Sequence, residues 1–152
     1  MAIVEIKEPF YSIITGSQVI HVVKPGSNGT EYNKTTGFFN NFPSVMTFQC
    51  LFGKGLMLIQ RNDESGDVKE FKLVSLNSGK QIDLPSGCGM CLVNTGSGVL
   101  VVLQNSQPDE KYIDSKTIIS KQGLAYYVID KKGEVGFEQN PNYKLHPQIT
   151  ME

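Results

Sequence analysis

The sequence predicts a single all-β domain built as a sandwich or closed barrel, and three observations lead to this prediction. The chain has 152 residues, which suits one domain with one core. Short β-branched and aromatic runs recur along it, separated by clusters of Gly, Pro, Asn and Ser. Only residues 108–121 suggest a helix, so the pattern favours a sandwich or barrel with a cavity between its sheets over βαβ units.

The predicted strands are the apolar runs that lie between these turn clusters. In chain order they are residues 12–23, 45–52, 56–60, 70–76, 90–94, 99–104 and 125–129. The turns that bound them contain residues that tolerate positive φ or preset a negative one, at positions 25–29, 53–55, 77–80, 85–87, 94–98 and 131–133. Several runs are almost continuously apolar, which indicates strands that are covered on both faces.

Charge and hydropathy exclude several classes of function. The formal net charge is −1 with both signs interspersed, so we expect neither a nucleic-acid partner nor a membrane surface. No apolar stretch reaches the roughly 18 residues of a membrane span, and the N-terminus lacks the features of a signal peptide. The three cysteines, an odd number, fit free thiols in a reducing compartment. We therefore expect a soluble, cytoplasmic protein.

Three segments, in order, carry a resemblance to a known family. Residues 25–40 end in Lys-Thr-Thr-Gly-Phe-Phe-Asn, and residues 48–60 end in Gly-Lys-Gly-Leu-Met-Leu-Ile-Gln. The third segment begins at Leu84, and a tail with Asn-Pro-Asn-Tyr at residues 140–143 keeps the spacing of the same family. Together these segments resemble the cupin-type phosphoglucose isomerases, which are glucose-6-phosphate isomerases.

The resemblance implies a fold more specific than a sandwich or barrel. It implies an all-β, single-domain cupin (jelly-roll) β-barrel over residues 1–152. The barrel core would lie at about residues 12–130, with an extra N-terminal strand and a C-terminal tail. Because cupins of this kind commonly pair, we expect a homodimer. Residues 10–23 would be its interface strand, since so long an unpaired edge invites aggregation.

The same resemblance locates the metal ligands of the family, and this chain has none of them. Family members hold Fe, Mn, Ni or Zn with two His, one Glu and a third His. The matching positions carry side chains unsuited to these metals, namely Phe38, Asn40, Met46 and Met90. No Asp, Glu or His lies between Thr35 and Ile59, so shifting the alignment by one or two residues restores no ligand. We therefore expect no metal and no other cofactor.

Loss of the metal and of the glutamate also removes both means of catalysing an aldose–ketose isomerisation, which needs a base or an electrophile. The resemblance then implies a catalytically inactive relative, a pseudoenzyme, that binds a sugar or sugar phosphate. The residues expected to contact this ligand match the family's sugar-phosphate segment and its pocket aromatics, and they are Lys34, Thr35, Gly37, Phe48 and Tyr112.

The sequence leaves other interpretations open. An active sugar-phosphate isomerase with a rebuilt site would need new ligands, such as His21 or Cys88. The Cys-x-x-Cys motif from Cys88 to Cys91 has the spacing of a redox pair, although residues three apart in a strand point to opposite faces. A Cu(I) site with Met46, Met90 and a cysteine is a further alternative, as is a pure oligomerisation module.

Overall fold

The computed structural model of the chain describes residues 8–152. Its strands are β1 (Phe10–Thr15), β2 (Gln18–Val23), β3 (Ser27–Asn28), β4 (Glu31–Tyr32), β5 (Phe38–Asn40), β6 (Met46–Phe52), β7 (Gly55–Asn62), β8 (Val68–Leu76), β9 (Gln81–Leu84), β10 (Cys88–Asn94), β11 (Leu100–Gln104), β12 (Ile113–Asp114), β13 (Tyr126–Lys131), β14 (Glu134–Gln139) and β15 (Ile149–Met151). A 3-10 helix (Glu110–Tyr112) and a short helix α1 (Lys116–Ser120) lie within the segment that suggested a helix. Between residues 8 and 152, no helix has the length and apolar character needed to cross a membrane.

The strands form three sheets, and the prediction of an all-β cupin barrel is confirmed. The front sheet has the order β1-β2-β11-β6-β9, the middle sheet β12-β5-β10-β7-β8-β15, and the back sheet β14-β13-β4-β3. From β6 to β11 the chain passes repeatedly between the front and middle sheets, which gives the jelly-roll connectivity of the barrel. The back sheet covers the outer face of the middle sheet.

Two apolar cores lie on the two faces of the middle sheet, and β10 contributes to both. Cys88, Met90 and Leu92 pack in the barrel core, between the front and middle sheets. Cys91 and Val93 point the other way and pack in the back core, against the back sheet and α1. Every residue of β10 is therefore buried, as expected for a strand that reads as a continuous apolar run.

The structure corrects the prediction of one long strand at residues 12–23. The segment forms a hairpin, in which β1 and β2 pair antiparallel from Thr15 opposite Gln18 to Phe10 opposite Val23. Gly16, with φ +63°, supplies the positive dihedral that a two-residue hairpin turn requires. One glycine within an otherwise apolar run was too weak a signal for a turn, and the expected long interface strand is therefore wrong.

Hydrogen bonds of Asn140 give the Asn-Pro-Asn-Tyr tail motif its structural role. Its Nδ2 donates to the carbonyls of Lys121 and Leu124, each at 2.9 Å, and its Oδ1 accepts from the Asn142 amide at 3.0 Å. The buried amide thus joins the chain after β14 to the turn that follows α1. Beyond it, β15 pairs parallel with β8. The sequence did not predict β9, β14 or β15, which are short or largely polar.

Candidate ligand-binding site at the barrel mouth

Two connected depressions lie at one end of the barrel, where the β1–β2 hairpin faces the chain before β5. The mouth chamber has a volume of about 170 Å³ and is lined by Phe10, Ser12, His21, Thr35, Thr36, Gly37, Phe38, Met90, Leu92 and Ser115. The side chamber has a volume of about 230 Å³ and is lined by Ser12, Ile14, Val19, His21, Phe38, Gln104, Gln107, Pro108, Glu110 and Ile113. Ser12, His21 and Phe38 belong to both, so they form the wall between the two chambers.

A chain of hydrogen bonds fixes the orientation of His21 in this wall. Gln104 Nε2 donates to the Ser106 carbonyl at 2.7 Å, which leaves Gln104 Oε1 to accept from His21 Nε2 at 2.7 Å. His21 Nδ1 is then the unprotonated nitrogen, and it accepts from Ser12 Oγ at 2.7 Å. Burial lowers the pKa of His21 below its usual range, and the hydrogen bond to Gln104 opposes this only in part. The ring is therefore neutral at neutral pH.

The segment before β5 forms the opposite side of the mouth chamber, and it is held against β10. Thr35 donates its amide to the Leu92 carbonyl at 2.9 Å, and its Oγ1 accepts from the Leu92 amide at 3.0 Å. Gly37 has φ +83°, and a Cβ at this position would overlap the Met90 carbonyl oxygen. Gly37 therefore lets the chain pass close over β10, as glycine does where two backbones approach.

Side chains at the positions of the family's metal ligands are packed as core residues. Met46 and Met90 lie in the barrel core, 0% and 1% exposed, and the partly buried Phe38 packs against them. Asn40 is fully buried, but its side chain serves the loop that follows β5. Its Nδ2 donates to the Ser44 carbonyl at 3.2 Å, and its Oδ1 accepts from the Phe42 amide at 3.0 Å.

These four side chains do not fit a divalent metal of the family's kind. Phe38 offers no donor atom, the two thioethers suit soft ions only, and the Asn40 oxygen is already hydrogen-bonded. Within residues 8–152, no group of three or more His, Cys, Asp or Glu side chains is arranged to hold a metal ion.

Of the five predicted ligand contacts, Thr35 and Gly37 line the mouth chamber. Lys34 does not, because side chains alternate along an extended segment and its own points to the back sheet. There Lys34 Nζ lies 2.6 Å from Glu31 Oε2 and 4.9 Å from the centre of the Tyr127 ring.

The two predicted aromatic contacts also lie outside both chambers. Phe48 is fully buried in the barrel core, where its ring stacks beneath His21 with centroids 6.4 Å apart. It supports the wall between the chambers and is not a rim residue. Tyr112 packs edge-to-face against Phe42 with centroids 5.1 Å apart, on the outside of the chain that lines the side chamber.

The cysteines are buried thiols rather than a paired redox centre. Cys50, Cys88 and Cys91 are free, and Cys88 and Cys91 lie on opposite faces of β10, as the strand spacing predicted. Burial raises the pKa of Cys91 to about 12 and also raises the pKa of Cys88. Because the thiolate is the reactive form, neither residue is activated as a nucleophile or metal ligand.

Sequence reasoning missed most of the polar residues of the mouth. The sequence suggested His21 only as a substitute metal ligand, and it did not indicate Ser12, Gln104 or Ser115 as site residues. Recognising a hairpin turn at Gly16 would have been enough to bring Ser12 and His21 together, because a two-residue turn there places them directly opposite each other. Gln104 and Ser115 come from distant parts of the chain, and no local pattern indicates them.

The fold and the mouth together define a cupin-type β-barrel with a small cavity at one end. The family model for glucose-6-phosphate isomerase matches residues 13–146. The glucose-6-phosphate isomerase of Pyrococcus furiosus is 32% identical over 124 residues, which are 81% of this chain and 62% of that relative. The chain therefore belongs to the glucose-6-phosphate isomerase family, and it spans less than two thirds of the length of this relative.

Two solved structures are similar to this chain with lower sequence identity. The cupin domain of Drosophila melanogaster CENP-C has a TM-score of 0.48 and 15% identity, with 62% of each chain covered. Oxalate oxidase in complex with the substrate analogue glycolate has a TM-score of 0.43 and 16% identity, covering 60% of this chain and 42% of that chain. Neither similarity bears on the function of this protein.

Proposed function

We propose that this protein is a metal-free, catalytically inactive member of the glucose-6-phosphate isomerase family that binds a small molecule, either a sugar or a less polar ring compound, in the mouth chamber. One observation carries the proposal. Phe38 and Met90, at two positions where relatives hold their metal, line a chamber whose rim still presents hydroxyl groups. A cavity with an apolar floor and a few polar groups is the usual form of a small-molecule site.

The expected loss of catalysis follows from the replacement of the family's glutamate and metal ligands. An isomerase must remove a proton next to a carbonyl or polarise that carbonyl. Met46 replaces the family's glutamate and lies in the barrel core, where a thioether can do neither. Each of these catalytic devices contributes orders of magnitude in rate, so their joint loss is expected to leave little activity.

The geometry of His21 favours one alternative, an isomerase with a rebuilt site. Its ring is neutral, borders both chambers and is oriented by Gln104, so it has the features of a general base. In this alternative Ser12 would relay a proton between the ligand and Nδ1.

A coupled fructose 6-phosphate isomerase assay distinguishes the two functions. We expect no turnover above the blank, with or without added Mn, Fe, Ni or Zn, because Met46 replaces the family's glutamate and the described residues offer no group that could hold a metal. The Pyrococcus furiosus relative is the positive control. Metal-dependent turnover would contradict the proposal. Metal-independent turnover that disappears in His21→Ala would instead establish the alternative.

We also propose that the protein is a homodimer of the cytoplasm and that the outer face of the front sheet is its interface. Val23, Leu100 and Val102 point into the barrel core, so their strand neighbours point outward. The outward residues form two cross-strand rows without any charge, made by Tyr11, Val22 and Val101 and by Ile13, Ile20 and Leu103. Ile13 is 48% exposed. Two apolar rows without charge favour contact with their own copy, since a two-fold axis brings the same surface against itself without repulsion.

Ile20→Glu should convert this dimer to a monomer, because a two-fold interface would bury two new carboxylates close together. Size-exclusion chromatography with light scattering should give twice the chain mass for the wild type and the chain mass for the variant. Val135→Glu, at an exposed apolar position on β14, should remain a dimer. Circular dichroism checks that both variants are folded. A monomeric wild type, or a dimeric Ile20→Glu, would contradict the proposed interface.

A further inference from the structure

We infer that the mouth chamber selects small neutral molecules, with an apolar ring and one or two hydroxyl or carbonyl groups, and excludes phosphorylated sugars. This inference rests on the proposed binding function and names the class of ligand. The ligand would then differ from the phosphorylated hexose for which the Pyrococcus furiosus relative is named.

The side chains that line the two chambers determine which charges a bound ligand meets. Among residues 8–152, no lysine or arginine lines either chamber, and the ionisable side chains that do are His21 and Glu110. Phosphate recognition depends on cationic side chains or on converging backbone amides. Glu110, at the side chamber, would repel a phosphate rather than bind it.

Two lysines are adjacent in sequence to residues that line the mouth chamber. Lys34 precedes Thr35, but its ammonium group is paired with Glu31 on the back-sheet side of the chain. Lys116 follows Ser115, but it is exposed and borders an open surface groove with Glu110 and Asp114. Neither of these two lysines lines the mouth chamber.

His21 supplies no positive charge to the mouth chamber. Both ring nitrogens are used within the protein, Nε2 by Gln104 and Nδ1 by Ser12. Burial lowers the pKa of His21, so the ring is neutral at neutral pH. Ser12 Oγ donates to His21 and keeps its lone pairs for a hydroxyl group of the ligand. The polar wall of the chamber thus suits a neutral hydroxyl and not a dianion.

The size and the apolar floor of the mouth chamber suit a single ring. Its apolar surface comes from Phe10, Phe38, Met90 and Leu92. An apolar cavity of about 150 Å³ is large enough for benzene, so the 170 Å³ chamber holds one six-membered ring. A phosphate group placed here would lose its hydration without gaining a counter-charge, which is strongly unfavourable.

Protein-observed NMR on the full chain at pH 7.5 tests the inference. Cyclohexanol, a neutral ring with one hydroxyl, should shift the amide signals of Gly37 and Leu92 in a saturable way. Inorganic phosphate and fructose 6-phosphate should leave those signals unchanged at the same concentrations. The exposed Ser12 offers a gain-of-function variant: Ser12→Lys should raise the affinity for phosphate by about tenfold, as one charge-assisted hydrogen bond does. Lys116→Ala is the control and should match the wild type.

The outcomes separate this inference from the proposed function. Saturable shifts of Gly37 and Leu92 with fructose 6-phosphate in the wild type would overturn the selection of neutral ligands and leave the binding function standing. Absence of any shift with cyclohexanol and with both phosphates would overturn the inference and count against binding in the mouth chamber. Shifts with cyclohexanol alone support both.

Discussion

Met46→Glu, which restores the family's glutamate, is expected to lower the free energy of unfolding by about 4 kcal/mol at pH 8. Met46 is 0% exposed and is surrounded by apolar side chains of the barrel core. A carboxylate there would have neither water nor a cation beside it. Added Zn²⁺ should not restore the stability, because the neighbouring ligand positions carry Phe38, Asn40 and Met90.

The decrease in the free energy of unfolding caused by Met46→Glu should grow as the pH rises. Burial raises the pKa of the new carboxyl in the folded protein above its unfolded value of about 4.3. Below pH 4 both states hold the proton, so the ionisation penalty is absent. As pH rises above the unfolded pKa the penalty grows, by about 1.4 kcal/mol per pH unit, until the folded pKa is reached.

Urea unfolding at pH 4 and pH 8 measures this difference. Met46→Gln is the matched control, since glutamine has the same shape as protonated glutamate and carries no charge. Its decrease in the free energy of unfolding should be similar at both pH values. If Met46→Glu were equally destabilised at both, the carboxylate would have found water or a cation. The description of the former metal position as an apolar core site would then be wrong.

Gly37→Ala is expected to destabilise the protein by about 3 kcal/mol, because two separate effects add at this position. Its φ of +83° is unfavourable for any residue with a Cβ, and that Cβ would also overlap the backbone carbonyl of Met90. A backbone atom in a sheet cannot move aside as a flexible side chain can. Either the segment before β5 lifts from β10, or the strand bends.

Gly79→Ala isolates the backbone effect, since Gly79 has φ +93° but no atom lies within 4 Å of the place that its Cβ would take. We expect this control to lose about 1 kcal/mol, which lowers the melting temperature by about 2–4 °C for a chain of this size. Gly37→Ala should lower it by about 6–12 °C. Equal decreases in the two variants would contradict the close approach of Gly37 to Met90.

Much of the barrel could be predicted from the sequence because its signals are local. Turn residues at positions such as 53–55 mark where strands end, and the uninterrupted apolar run of β10 marks a strand with a core on each face. Alternation along β10 was enough to place Cys88 and Cys91 on opposite faces. The replacement of the family's metal ligands is likewise a property of single positions, and the packing of Met46 and Met90 agrees with it.

The residues that form the mouth could not be predicted, because their positions depend on contacts between distant parts of the chain. Lys34 and Thr35 are adjacent in sequence, but one pairs with Glu31 behind the middle sheet and the other lines the mouth chamber. The sequence around Phe48 predicts a strand whether this side chain lies at the rim of the chamber or in the barrel core. Only the stacking of the His21 ring on the Phe48 ring shows that Phe48 lies beneath the chamber wall.

The sequence by itself determined the family, the strand-rich fold and the absence of the usual metal ligands, because each depends on residue identity at single positions or on short-range periodicity. Only the tertiary structure decided which residues form the mouth. His21 meets Ser12 through the turn at Gly16, and it meets Gln104 through the pairing of β2 with β11, across 83 positions of sequence. Strand pairing of that range is set by the packing of the whole barrel, so the site forms only when the sheets are assembled.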